Sequence, residues 1–86
     1  MELVLYSSAF CEPCMQTRAV LAEVDRLVPG ARVRDVDVVR NEEEAVRMRI
    51  RSTPTIVVRA DDGTDVFRAE GVPTLTQLLA AAAKAL

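Results

Sequence analysis

Histidine and tryptophan are both absent from the 86 residues. Without His there is no imidazole general base, no His metal ligand and no Cys–His nucleophilic pair. Aromatic residues number three, two Phe and one Tyr, so a core has to be built from Val, Leu, Ile and Ala; half of the chain is apolar, which is enough to build one. A dominant charge is missing as well. Eleven basic against thirteen acidic residues give −2, which offers no positive field to nucleic acid or to an anionic membrane. No apolar window reaches the roughly 20 residues of a transmembrane helix. The start "MELVLYSS" lacks the basic residues and long apolar run of a signal peptide. The expected location is therefore cytoplasmic. Lysine is nearly absent too: ten Arg accompany the single Lys84, a skew attributed to base composition rather than to function. At this length one domain, residues 1–86, is expected.

What is present falls into short, well-marked segments. "ELVLYS" (Glu2–Ser7) is a Leu/Val-rich run that stops at serines and reads as a buried strand. From Pro13 the pattern turns helical, with Val20, Leu21, Val24, Leu27 and Val28 at three- and four-residue spacing until Pro29–Gly30. Arg32–Val39 alternates and reads as a second strand. A helix follows, with Asn41 as its cap, acids in its first turn and arginines in its last, the order that suits the helix dipole. Pro54–Ala60 is a β-branched run, "DDG" (Asp61–Gly63) a hairpin turn, and Thr64–Glu70 the returning strand. Thr74 with Gln77 forms a capping box that opens a last helix, whose Leu75, Leu78, Leu79, Ala82 and Leu86 line one face. The alanines near its end read as helix formers only. The order β-α-β-α-β-β-α predicts an α/β fold, a mixed four-stranded sheet flanked by three helices.

The only two cysteines, Cys11 and Cys14, lie two residues apart in "FCEPC". As a zinc site they supply two ligands where structural zinc takes four, and no third Cys or His exists. As a structural staple their loop is too small to constrain the unfolded chain much. Two ordinary buried cysteines would leave the spacing accidental. A redox pair gives the spacing a reason, because two thiols one turn apart can close a ring and reopen it. Their position agrees: they follow a strand and open a helix, where free N–H groups and the dipole favour a thiolate. Cys11 would be the exposed nucleophile, and Cys14, one turn in, the resolving thiol. Pro13 suits a first helical turn. Glu12 places a carboxylate beside Cys11, where it opposes a thiolate and is expected to hold the pair on the reducing side. Pro54, in "RSTPT", reads either as a trans proline that starts a strand or as a cis proline that turns the Thr53 backbone toward the thiols; composition does not choose between them.

"FCEPC", "IRSTPT" beginning 39 residues beyond Cys11, and "DGTDVFRAEGVPTLTQLL" together resemble the thioredoxin superfamily, over essentially the whole chain. The resemblance is closest to minimal thioredoxins and glutaredoxin-like proteins. It implies a thioredoxin-like fold, a cis Pro54, a nucleophilic Cys11 and a resolving Cys14. It further implies a substrate groove formed by Phe10, Glu12, Pro13, Thr53, Pro54 and Gly71. Several positions depart from the family. Phe10 and Glu12 stand where thioredoxins usually carry Trp and Gly. The buried acid of the first strand is replaced by Leu5, and the lysine of the second by Asp35. Asp35 is then either a substitute charge beneath Cys14 or a solvated strand residue. Ala9 and Phe10 before Cys11, and "EGVPTLT" in place of a Gly-Gly-x-x-Asp segment, depart from the glutathione-holding pattern of glutaredoxins.

The implied function is a small thiol-disulfide oxidoreductase that reduces protein disulfides through Cys11 and Cys14. It would be a monomer, with no bound cofactor or metal beyond its own redox-active disulfide, and reduced by a flavin-dependent thioredoxin reductase. The alternatives are a glutaredoxin-type reductase of mixed disulfides with a low-molecular-weight thiol, and a non-catalytic thioredoxin-fold binding module.

Overall fold

A computed structural model describes residues Met1–Leu86. The elements, in chain order, are β1 (Glu2–Ser7), α1 (Glu12–Leu27), β2 (Arg32–Asp37), α2 (Glu42–Arg47), β3 (Thr55–Arg59), β4 (Asp65–Glu70) and α3 (Leu75–Ala85). The four strands form one mixed sheet in the order β2-β1-β3-β4. β1 runs parallel to β2, as a strand–helix–strand connection requires, and antiparallel to β3, while β3 and β4 close the hairpin. No helix is long and apolar enough to cross a membrane.

β1 and β3 occupy the centre and carry the burial. Leu3, Leu5, Ile56 and Val58 point to one face, where they meet Leu21 and Val24 of α1 and Leu78, Ala81, Ala82 and Ala85 of α3. Val4, Tyr6, Val57 and Val36 form a smaller cluster on the opposite face. The alanines therefore do more than favour a helix. With Ala81 and Ala82 both 2% exposed, the small side chains let the α3 backbone approach its neighbours closely. Leu86, expected on the buried face, lies beyond the last helical residue and is exposed, and Leu27 of α1 is likewise exposed.

Two strand boundaries and one helix cap depart from the sequence expectation, and β3 and β4 are each also one residue shorter at the hairpin. β2 ends at Asp37 rather than Val39 because the Asp37 carboxylate accepts the N–H of Val39 at 2.9 Å and of Arg40 at 3.2 Å. This side-chain turn takes the donors a longer strand would need. Asn41 precedes α2, but its side chain makes no cap; its amide donates instead to the Asp37 carbonyl at 2.9 Å. β3 begins at Thr55, one residue after Pro54. The capping box of α3 forms as read: Thr74 Oγ1 accepts the Gln77 N–H, and Gln77 Oε1 accepts that of Thr74.

Tyr6, buried at the end of β1, donates its hydroxyl to Glu44 Oε2 at 2.9 Å, and Arg34 grips the same carboxylate with two nitrogens. Burial first, then the hydrogen bond and charge of Glu44, push the phenol up to about 12. The folded chain therefore keeps this proton at a pH where the unfolded chain has lost it, so stability must fall as pH rises from 10 toward 12. Tyr6→Phe should cost ~1 kcal/mol at neutral pH for the lost hydrogen bond. It should also remove most of this alkaline loss, on the order of 2 kcal/mol. Denaturant unfolding of both proteins between pH 8 and 12 checks this; parallel pH profiles would contradict it.

Candidate functional site

Cys11 caps α1. Its backbone is extended (φ −108°, ψ 100°), and its sulfur accepts the N–H of Cys14 at 3.1 Å. One of the unpaired donors at the helix start is thus aimed at sulfur, the arrangement that stabilises negative charge there. Cys11 and Cys14 are joined as a disulfide, with Cα atoms 5.2 Å apart. Cys14 is fully buried, and Cys11 is partly exposed. The helix supplies that asymmetry: Cys14, Thr17, Leu21 and Val24 form its buried stripe, and Cys11 lies one turn before it. Pro13 occupies the first turn, and its carbonyl accepts the buried Thr17 hydroxyl at 2.8 Å. No buried side-chain polar atom lacks a partner.

Around the pair, Phe10 projects wholly into solvent from a left-handed backbone (φ 56°), a conformation uncommon for a non-glycine residue. With Glu12, Met15 and Gln16 it lines a shallow depression beside the disulfide. Met15, 65% exposed, was not singled out from the sequence; the available signal was a large apolar side chain lying off the buried stripe of its helix.

The Thr53–Pro54 peptide bond is cis, and Pro54 is buried. The Pro54 carbonyl accepts the N–H of Gly71 at 2.9 Å, and Gly71 has φ +88°, which side chains other than hydrogen rarely permit. Glu70 takes Arg51 Nη2 at 3.0 Å and Ser52 Oγ at 2.9 Å, one on each oxygen. These hydrogen bonds, with Ser52 ahead of Arg51, hold the Glu70 carboxyl below its ordinary value. The structure thus brings Thr53, Pro54 and Gly71 together, on the sheet end from which β1 leads to Cys11.

Asp35 has both carboxylate oxygens engaged by neighbouring side chains. It pairs across the sheet with Leu5, accepts Ser7 Oγ at 2.6 Å, and forms a 2.6 Å ion pair with Arg18 Nε, both side chains about half exposed. Burial acts to raise its pKa, but the hydrogen bonds from Arg18 and Ser7 and the Arg18 charge outweigh it, leaving it lowered. The Asp35 charge is therefore compensated rather than bare. Arg18 was not identified from the sequence, because only the fold shows which helical residue reaches β2. No cluster of three His, Cys, Asp or Glu is placed to hold a metal ion.

A family model for a thioredoxin-like domain matches residues 2–86. The chain belongs to the thioredoxin-like family. Among solved structures it is similar to thioredoxin from Fasciola hepatica, with 26% identity and a TM-score of 0.82, covering 99% of this chain and 80% of that one. A mutant thioredoxin from Halobacterium salinarum gives 25%, 0.87, and 98% and 73%. Oxidised mitochondrial thioredoxin 3 from Saccharomyces cerevisiae gives 20%, 0.83, and 96% and 76%. No curated protein matches the sequence. Family membership and the paired cysteines support thiol-disulfide oxidoreductase chemistry in general terms.

Glu12 is the first residue of α1, is exposed, and makes no hydrogen bond or ion pair. Its charge therefore stands uncompensated next to Cys11 and, after solvent screening, should disfavour the thiolate modestly. Glu12→Gln should raise the reduction potential of the Cys11–Cys14 pair by up to ~15 mV, half the shift of a tenfold change for two electrons. Equilibration of both proteins with a dithiol couple measures it; an equal or lower potential in the variant would contradict it.

Proposed function

We propose that the chain is a cytoplasmic protein disulfide reductase, a monomeric redox carrier with no bound cofactor. The observation that carries this reading is the Cys11 sulfur at the start of α1, accepting the Cys14 N–H, with the Cys14 sulfur buried behind it. In the reduced protein the Cys11 thiolate attacks one sulfur of a substrate disulfide. The Cys11–substrate bond forms, the substrate S–S bond breaks, and the departing thiolate takes a proton from water. Cys14, deprotonated in turn, attacks the Cys11 sulfur, closes the internal disulfide and releases the second substrate thiol. Two electrons have then passed from the protein dithiol to the substrate disulfide. A flavin-dependent thioredoxin reductase returns them.

Phe10, Glu12, Pro13, Thr53, Pro54 and Gly71 form the substrate surface in this reading. The exposed Phe10 ring and the backbone beside Pro54 fit an extended, partly apolar segment carrying the disulfide. The departures at Ala9 and at "EGVPTLT" favour a protein disulfide over a glutathione adduct.

Insulin reduction tests the assignment, with NADPH and thioredoxin reductase in one arm and a recycled low-molecular-weight thiol in the other. Turnover is expected in the reductase arm and should vanish in Cys11→Ser. Turnover only in the thiol arm would replace this function with a glutaredoxin-type one. No turnover in either arm would leave a binding module.

A further inference from the structure

Beyond the last β1–β3 ladder pair, Tyr6 with Thr55, the two central strands lead to the two halves of the proposed groove. One runs through Ser8 to Cys11; the other is preceded by Thr53 and Pro54. A single hydrogen bond joins residues 8–14 to residues 51–54. It connects Ser8 Oγ with Thr53 Oγ1 at 2.7 Å, between side chains that are both partly buried and 45 residues apart in sequence. On its other side the Pro54 loop is held more heavily, by Gly71 N–H on the Pro54 carbonyl and by Arg51 and Ser52 on Glu70.

The geometry points to Ser8 and Thr53 as a pair of positioning residues that sets the spacing between the cysteine turn and the Thr53 backbone, and so governs how a protein disulfide is seated. This rests on the protein disulfide reductase reading and adds to it. Neither hydroxyl bonds a cysteine sulfur, whose one hydrogen-bond partner is the Cys14 N–H. The pair should therefore act on substrate binding and leave the intrinsic reactivity of Cys11 alone. A hydroxyl–hydroxyl contact of this length would hold the loop without closing the groove, since both groups are spent on each other. Losing either partner frees the loop on the cysteine side while its β4 side stays fixed. Removing the second partner then has nothing left to break.

Catalysis of insulin reduction by dithiothreitol tests this in the wild type, Ser8→Ala, Thr53→Val (which keeps the shape and loses the hydroxyl), the double variant and Thr53→Ser. Each single loss should raise KM about 3- to 10-fold, the range of one net hydrogen bond, with kcat changed less than about twofold. The double variant should be no worse than the poorer single, and Thr53→Ser should stay near the wild type. The rate at which iodoacetamide alkylates reduced Cys11 should be the same in all five, a readout that general loosening of the fold would move. Single variants that match an active wild type, additive losses in the double variant, or alkylation rates that fall in step with kcat/KM would each overturn the pair's role while leaving the reductase function intact. An inactive wild type would overturn the reductase reading itself, and the pair's role with it.

Discussion

Strand β1 is hydrogen-bonded on both sides, parallel to β2 and antiparallel to β3, and Leu3 through Ser7 are buried on both faces of the sheet. A strand so enclosed has no freedom in register, because a one-residue slip would send Leu3 and Leu5 to the face that Tyr6 and Val4 occupy. That constraint fixes where β1 ends. The chain leaves the sheet at Ser7, and within four residues Cys11 starts the helix that packs back over Leu5. The sulfur chemistry thus sits at a helix N-terminus because the central strand leaves it nowhere else to go. Cys14 falls on the buried stripe of the same helix because it is one turn in.

The electrostatics around this frame differ from the pattern the resemblance implies. Leu5 occupies the position of the usual buried acid, so no ionisable group from β1 lies under Cys14. Asp35 on the neighbouring strand has its charge compensated by Arg18 and its remaining oxygen bonded to Ser7. The charge closest in sequence to the redox pair is Glu12, in solvent. The features set against the Cys11 sulfur are the Cys14 N–H and the start of α1, both fixed by the backbone. The Tyr6–Glu44–Arg34 cluster is closely hydrogen-bonded, but it lies on the α2 face and anchors the sheet.

Much of this was legible from the residues because the signals are local. β1 and β3 are uninterrupted β-branched or leucine runs, Thr74 and Gln77 sit three apart, and Cys11 and Cys14 open a helix after a strand. The misses share the opposite character. Asp37 ends β2 by a competing side-chain turn, and Asn41 spends its amide on the Asp37 carbonyl instead of a cap; both depend on rotamers that a pattern does not contain. Ala81 and Ala85 are buried because α3 lies close to its neighbours, and alanine carries no periodic signal of its own. The Arg18–Asp35 and Ser8–Thr53 contacts bridge residues 17 and 45 positions apart, so only the assembled sheet brings them together.

The central claim is that Cys11 makes the bond to substrate and Cys14 breaks it. Trapping tests it most directly. Without a resolving thiol, the mixed disulfide has no internal route to release. Cys14→Ser, reduced and mixed with an excess of a protein carrying one accessible disulfide, should accumulate a one-to-one covalent adduct through Cys11 that dithiothreitol dissolves. Cys11→Ser under the same conditions should accumulate none. An adduct formed by Cys11→Ser and not by Cys14→Ser would reverse the roles and contradict the account.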